Sequence, residues 1–181
     1  MKKPILIVAA LLAISLFSNK VSAQAPTPAT APAASGDVVA AMATSDNYNV
    51  AGMLARVAGL SGTLDGAGPY TVFAPTNEAF GKLSATKADS LAKDPAKLAT
   101  VLKYHVVSGK YTKADIIKAL SASKDRKVEL KTLDGQNVTL SVVGGKLQLA
   151  DDHGNTALVT GFDLPASNGV VHGLDAVLDT K

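Results

Sequence analysis

The run NGVVHGLDAVLDT, residues 168–180, is apolar along most of its length but contains one histidine and two aspartates. In an extended strand, neighbouring side chains point to opposite faces. One face then carries five of these side chains: Val170, His172, Leu174, Ala176 and Leu178. We expect His172 to be a neutral, hydrogen-bonded core residue, because burying a charged imidazole without a partner is costly. The alternative is a histidine that acts as a ligand in a pocket.

The same two-residue alternation of apolar and polar residues begins at Lys127. It predicts five strands, which are KVELKTL (127–133), NVTLSVV (137–143), KLQLA (146–150), NTALVTGFDL (155–164) and VVHGLDAVL (170–178). The segments between them, DG, GG, DDHGN and ASNG, have the chemistry of tight turns. The second half of the chain therefore predicts a compact antiparallel β assembly.

The part of the chain that follows residue 36 has the spacing of helices. Asp37 and Ser45 are predicted N-caps of the helices in DVVAAMAT (37–44) and SDNYNVAGMLARVAG (45–59), because short oxygen-bearing side chains cap helix N-termini. The second helix is expected to turn one apolar face inward. That face consists of Val50, Met53, Leu54 and Val57.

Three later segments combine helix with extended chain. GPYTVFAPTNEAFGKL (68–83) predicts a strand at 70–74 that passes directly into a helix capped by Thr76. DPAKLATVLKYHVV (94–107) predicts a helix that gives way near Tyr104 to extended chain, and TKADIIKAL (112–120) predicts another short helix. The fold class is therefore α+β, with a helical N-terminal half packed on an antiparallel β-sandwich or wedge.

The first 36 residues differ in composition from the rest. Residues 1–23 combine a basic start, an apolar run and small residues near Ala23, which predicts a secretory signal peptide. Residues 24–36, QAPTPATAPAASG, are rich in alanine and proline and predict an extended tether. One domain is expected over 37–181. The protein is therefore expected to be exported, to the periplasm or to the cell surface and beyond, with no transmembrane segment after cleavage.

Charge argues against a nucleic-acid partner. The formal net charge is +3, but Lys2, Lys3 and Lys20 belong to the predicted signal peptide, and removing them leaves fifteen basic and fifteen acidic residues. A neutral chain lacks the excess of cations that phosphate binding requires. The segment from residue 110 to residue 131, however, contains seven basic residues and three acidic ones. This local excess predicts either a patch for acidic polysaccharide or lipid head groups, or a solvated helix and loop.

No motif in the sequence indicates catalysis. The nucleophile elbow, the zinc-protease helix, the phosphate loop and the dinucleotide fingerprint are all missing from the sequence, which also contains no cysteine. The cluster DDHGN (151–155) does not match the calcium-loop spacing and is better explained as a turn. We therefore predict no metal and no cofactor, and a protein that is not an enzyme.

Three segments, in this order and separation, resemble the signatures of the fasciclin domain family: YTVFAPTNEAFGKL (70–83), LKYHVVSGKYTKADI (102–116) and NGVVHGLDAVLDT (168–180). The resemblance covers about residues 37 to 180 and implies helices on a β wedge of about seven strands. The order of signal peptide, tether and single domain is similar to that of small secreted bacterial members. The resemblance implies a cell-adhesion or binding module of the extracellular matrix, the cell surface or a biofilm, without catalysis.

The resemblance also assigns residues. It implies a candidate adhesion segment that contains Tyr104, His105, Lys113, Asp115 and Ile116. It further implies a structural signature made of Thr76, Asn77, His172 and Asp175, in which we expect Asp175 to accept hydrogen bonds from backbone amides near Thr76 and Asn77. The implied partners are extracellular or surface proteins and glycans, and the protein is expected to be a monomer or a weak homo-oligomer.

Two points stay open. His105 lies where side chains are often presented to partners, yet its neighbours are apolar, so it is either a binding residue or a core residue. The alternative function is that of an extracytoplasmic carrier of a small apolar ligand or haem, held in a pocket between helices and sheet with Tyr104 or His105 as a contact.

Overall fold

The computed structural model describes residues 36–66 and 68–178. The predicted signal peptide, and the tether except for Gly36, lie outside the described residues. The helices of the described part are α1 Val38–Ala43, α2 Asn49–Val57, α3 Ser61–Leu64, α4 Asn77–Gly81, α5 Ala85–Lys93, α6 Pro95–Tyr104 and α7 Lys113–Ala122. Its strands are β1 Tyr70–Pro75, β2 Val106–Ser108, β3 Lys127–Lys131, β4 Asn137–Val143, β5 Lys146–Asp151, β6 Thr156–Ala166 and β7 Gly169–Leu174.

The seven strands pair in the order β2-β1-β7-β6-β5-β4-β3. Successive strands from β3 to β7 are antiparallel, as the turn chemistry between them predicted. The pair β1–β7 is parallel, however, with Phe73 opposite His172. The predicted α+β class and seven strands are confirmed, whereas the expectation of a purely antiparallel assembly is wrong for this pair. The last strand lies beside the first one, which no local turn dictates.

Two hydrophobic clusters lie on the two faces of the central strands. The first contains side chains of α1, α2 and α6 together with Val72 and Val171. The second lies under α7 and contains Phe73 and Leu174. Because neighbouring side chains of a strand point to opposite faces, β1 and β7 contribute to both clusters. All six residues of β7 are buried, so this strand is the centre of the protein.

The first turns of two helices follow the predicted capping. The Asp37 carboxylate accepts a hydrogen bond from the Ala40 amide at 2.7 Å, and the Thr76 hydroxyl accepts one from the Ala79 amide at 3.1 Å. Ser45 is not an N-cap, because a turn follows it and α2 begins only at Asn49. One of the two caps predicted for the first helices is therefore correct.

The inward face of α2 differs from the prediction. Met53 and Val57 are 65% and 63% exposed, while the buried residues of this helix are Ala51, Gly52 and Ala55. The reason is the close approach of α1, since a Cβ atom added to Gly52 would lie 2.5 Å from the backbone nitrogen of Ala43. Only small side chains fit at this distance, so Met53 and Val57 point outward, whereas Leu54 is half-buried against the first cluster and Val50 is half-buried.

This close approach makes a prediction about two helical glycines. We expect Gly52→Ala to lower the free energy of unfolding by about 1–3 kcal/mol, because the added methyl group overpacks the contact with α1. Gly81→Ala is the matched control, since nothing lies within 4 Å of the position of its Cβ. That variant should be neutral or more stable by about 0.5–1 kcal/mol, the usual helical preference for alanine. Urea denaturation measures both, and equal effects would contradict the packing explanation.

Candidate functional site

Tyr104 and His105 end α6 and lead into β2, and both side chains are buried. The Tyr104 hydroxyl donates a hydrogen bond to the carbonyl of Asn137 at 3.3 Å. Burial raises the pKa of Tyr104 to about 12, because the phenolate would be poorly solvated. The ring belongs to the second hydrophobic cluster. The expectation that this side chain is offered to a partner is therefore wrong.

His105 is a core residue, which settles the choice that the sequence left open. Its Nδ1–H donates to the carbonyl of Val101 at 2.7 Å, and its Nε2 accepts from the amide of Leu178 at 3.1 Å. A ring nitrogen that accepts from an amide carries no proton, so the imidazole is neutral. Burial lowers its pKa to about 4. His105 thus joins the end of α6 to the chain beyond β7.

His172 also donates one hydrogen bond to the backbone and accepts another from it, but in the opposite tautomer. Its Nε2–H donates to the carbonyl of Tyr111 at 2.7 Å, and its Nδ1 accepts from the amide of Asp163 at 3.2 Å. The ring lies near Phe73 and Phe162, with centroids 5.6 Å and 6.0 Å away. Burial lowers the pKa of His172 as well. The prediction of a neutral, hydrogen-bonded core histidine is confirmed.

Asn77 connects α4 to the segment before α2. Its Oδ1 accepts from the amide of Val50 at 3.2 Å, and its Nδ2 donates to the carbonyl of Asp46 at 2.8 Å. Together with the Thr76 cap, these bonds hold the helical layer at the end of β1. Thr76 and Asn77 therefore both make hydrogen bonds within the fold.

Asp175 does not contact the amides of Thr76 and Asn77. Its Oδ1 accepts instead from the amide of Leu158 in β6 at 2.7 Å. The two expected donors are already used, because the Thr76 amide donates to the carbonyl of Leu174 and the Asn77 amide donates to a carbonyl of the chain before α2. The carboxylate of Asp175 thus fastens β6 at the end of β7, and the predicted partners are wrong.

The other candidate adhesion residues lie at the start of α7. Lys113 and Asp115 are exposed, whereas Ile116 is buried. The Oδ2 of Asp115 accepts from the hydroxyl of Thr112 at 2.7 Å and from its amide at 3.1 Å, which completes a capping box. These bonds to Thr112 lower the pKa of Asp115. Lys113 and Asp115 are therefore the members of the segment that a partner can reach.

The start of α7 is held by the core beneath it. His172 binds the carbonyl of Tyr111, and the carboxylate of Asp163 accepts from the amide of Lys113 at 2.9 Å. The Lys113 ammonium lies 4.4 Å from the centroid of the Phe162 ring, within cation–π range. Sequence reasoning missed Asp163 and Phe162, which no motif distinguishes from other residues of β6.

One cavity between the helices and the sheet has His105 at its wall, and it is small. It measures about 10 Å³ and is lined by apolar side chains of α2 and β1. One water molecule needs at least as much, and ligand pockets of proteins are larger by more than an order of magnitude. The pocket that a carrier of haem would need is therefore not formed by these residues.

The turn 151–155 also has a structural explanation. The Asp151 carboxylate accepts from the amides of His153 and Asn155, at 2.9 Å and 2.7 Å, and from the Asn155 side chain at 2.6 Å. Within residues 36–66 and 68–178, no group of three or more histidine, aspartate or glutamate side chains lies close enough together to hold a metal ion. The hairpin interpretation of DDHGN accounts for its composition.

The geometry defines a class of protein, namely an α+β domain with a closed helix–sheet interior and candidate binding groups at the surface of one helix. The chain belongs to the fasciclin domain family, because the family's sequence profile, Fasciclin domain, matches residues 46–180. No helix in the part of the chain that the structure describes is both long and apolar enough to span a bilayer.

Two relatives are bacterial. Immunogenic protein MPB70 of Mycobacterium bovis is 34% identical over 158 residues, which cover 83% of this chain and 73% of the relative. Cell surface glycolipoprotein MPB83 of the same species is 37% identical over 121 residues, which cover 64% of this chain and 46% of the relative.

A solved structure shares the fold. The pair of FAS1 domains from the insect cell adhesion molecule fasciclin I superimposes with a TM-score of 0.65 at 18% sequence identity. The match covers 81% of this chain and 52% of the insect chain. At this identity the likeness establishes the fold of the present chain.

The buried histidines predict how stability depends on pH. His105 has a pKa of about 4 in the folded protein and the usual 6.5 when unfolded, so the unfolded chain binds more protons between these values. Its contribution is complete above 6.5 and is lost as the pH falls toward 4. We expect this residue to account for a loss of about 2 kcal/mol between about pH 7.5 and about pH 5.

Denaturation of three proteins at both pH values measures this contribution. His105→Gln removes the titrating group and should lose less stability on acidification than the wild type. His153→Gln replaces an exposed histidine and is the matched control, which should keep the wild-type pH dependence. If His105→Gln and the wild type lose equal stability, His105 does not titrate as the structure requires.

Proposed function

We propose that this protein is a secreted adhesion module, which recognises proteins or glycans of a cell surface or matrix and performs no catalysis. The proposal rests on one observation: the start of α7 is exposed, whereas the cavity between the helices and the sheet is too small for a ligand. Lys113 and Asp115 are exposed there, on a framework in which every buried side-chain nitrogen and oxygen of the described residues has a hydrogen bond. A rigid loop and helix terminus on a packed scaffold is a common place for binding residues.

In this proposal, Tyr104, His105 and Ile116 support the binding surface without touching the partner. Tyr104 packs in the second cluster, to which α7 contributes Ile116. Two of the hydrogen bonds that fix the start of α7 come from Asp163 in β6 and His172 in β7, so the last signature, through His172, helps to position the adhesion segment. A partner then binds a surface that is ordered in advance, which lowers the entropic cost of binding.

Export and domain limits are part of the proposal. A signal peptide over 1–23 and a tether over 24–36 would deliver one fasciclin domain, residues 37–181, outside the cytoplasm as a monomer or weak homo-oligomer. The names of two similar proteins support this, since one is a cell surface glycolipoprotein and the other a cell adhesion molecule. The neutral charge of the processed chain favours protein and glycan partners over nucleic acid.

The test is a binding screen followed by variants. The full chain, processed and purified after export, is tested against extracellular proteins and glycans. For a partner that binds, the double variant Lys113→Ala with Asp115→Asn should weaken binding by about fivefold or more, the scale of losing ~1 kcal/mol of contact. Asparagine keeps a side-chain oxygen for the capping box, so the helix is retained.

Lys97→Ala removes an exposed lysine from α6 and is the matched control, which should bind like the wild type. Failure of every screened surface protein and glycan to bind would contradict the proposal. An equal loss in the control would show that general charge, and not the start of α7, determines attachment.

A further inference from the structure

The second hydrophobic cluster has an end that is not covered. Between α7 and the β4–β5 hairpin lie two depressions of about 290 Å³ and 310 Å³, which share Ile117 and Val142. We call this surface the open end. Its principal residues are Lys113, Ile117, Arg126, Val142, Lys146 and Phe162.

The apolar floor of the open end continues the core. Along the inward face of β4, Val138 and Leu140 are completely buried, but the next residue on that face, Val142, is 47% exposed. Ile117 on the facing helix is 50% exposed, and Val143 at the hairpin is 53% exposed. Val142 is therefore exposed where the alternation predicts burial, and Ile117 lines both depressions with it, whereas Val143 lies on the other face of β4. A partner that covers Val142 and Ile117 gains hydrophobic free energy.

The rim of the open end is cationic. Lys113, Arg126 and Lys146 border the two depressions, and none of the described residues that line them is acidic. The nearby Asp115 and Asp163 carboxylates each accept a hydrogen bond from a backbone amide at the start of α7. The surface thus combines exposed aliphatic groups with cations that no lining carboxylate neutralises.

The backbone at this surface is unusual as well. Among the described residues, the non-glycine residues with positive φ are Arg126, at 51°, and Asp163, at 56°. Arg126 lines the open end, and Asp163 directly follows Phe162, which also lines it. Left-handed backbone at such residues costs free energy and is frequent at binding sites.

We propose that the open end binds the surface of an anionic lipid bilayer. Ile117 and Val142 would enter the boundary between head groups and acyl chains, while the three cations would contact lipid phosphates. Surfaces that combine protruding apolar residues with basic ones bind anionic membranes through both effects. A soluble polyanion would satisfy the cations but would leave the aliphatic side chains in water. Charge and hydrophobicity together therefore favour the bilayer.

A second exposed apolar pair supplies a comparison. Met53 and Val57 on α2 are at least as exposed as the aliphatic residues of the open end. Their neighbour Arg56 interacts electrostatically with Asp37, so that surface has a cation with a nearby carboxylate. Exposed apolar area alone therefore does not distinguish the two places, whereas the cationic rim does.

Membrane binding by the open end goes beyond the proposed adhesion to proteins or glycans. The experiment that tests it does not depend on a protein or glycan partner. The exported full chain is mixed with vesicles of phosphatidylcholine alone, or with a share of phosphatidylglycerol, and the bound fraction is measured by sedimentation. We expect binding to the anionic vesicles at least about tenfold stronger than to the neutral ones, and weaker at high salt.

Two variants of the open end and one control locate the binding. Val142→Asp and Lys146→Glu change partly or fully exposed residues, so both should fold, and each should weaken vesicle binding by about tenfold. Val57→Asp introduces the same charge on α2 and should bind vesicles like the wild type. Circular dichroism checks the fold of all three.

Three results would overturn the proposal: equal binding to neutral and anionic vesicles, unchanged binding by both variants, or an equal loss in Val57→Asp. Binding to dextran sulfate that Val142→Asp retains, with no binding to anionic vesicles, would assign the cations to a polysaccharide and would also overturn it. Lys113 belongs to both surfaces, but Val142 and Lys146 lie outside the adhesion segment and Asp115 does not line the open end. The variants Val142→Asp and Lys146→Glu therefore test the open end alone, and failure of one proposal leaves the other standing.

Discussion

β7 is buried on both faces, between a parallel neighbour and an antiparallel one, so every polar atom on it must find its partner inside the protein. His172 meets this requirement by donating to one backbone carbonyl and accepting from one backbone amide. His105 repeats the arrangement beyond the end of the strand, where it holds Leu178. No buried side-chain nitrogen or oxygen of the described residues is left without a hydrogen bond. The closed interior and the fixed start of α7 both depend on these two neutral rings.

The sequence predicted those elements whose signals are local. Alternating residues and turn chemistry place the five strands after residue 127 within a few positions of where they lie. The pairing of β1 with β7 could not be predicted, because it joins segments about a hundred residues apart and leaves no turn between them. The helix Ala85–Lys93 was not predicted, although its apolar residues recur at helical spacing; most of them are alanines, and none of its residues is buried. The prediction of the inward face of α2 was wrong because the short distance between α1 and α2 admits only small side chains.

The candidate site was predictable to a lesser degree. The apolar face of the last segment indicated a buried His172, and the structure agrees. For Tyr104 and His105, apolar neighbours favoured burial while the helix–strand junction favoured exposure. Only the folded chain decides between them, through the second cluster for Tyr104 and through the bonds to Val101 and Leu178 for His105. The partner of Asp175 depends on which amides are still unpaired, a property of the folded chain. Sequence periodicity predicts faces, whereas hydrogen-bond partners follow from the three-dimensional arrangement.

The central claim is that His105 and His172 are neutral and have opposite tautomers. Nuclear magnetic resonance of the ring nitrogens, recorded near neutral pH on the ¹⁵N-labelled full chain, tests it directly. The structure predicts the proton on Nδ1 of His105 and on Nε2 of His172, with no imidazolium at either position. An imidazolium at either residue, or the same tautomer at both, would contradict the account.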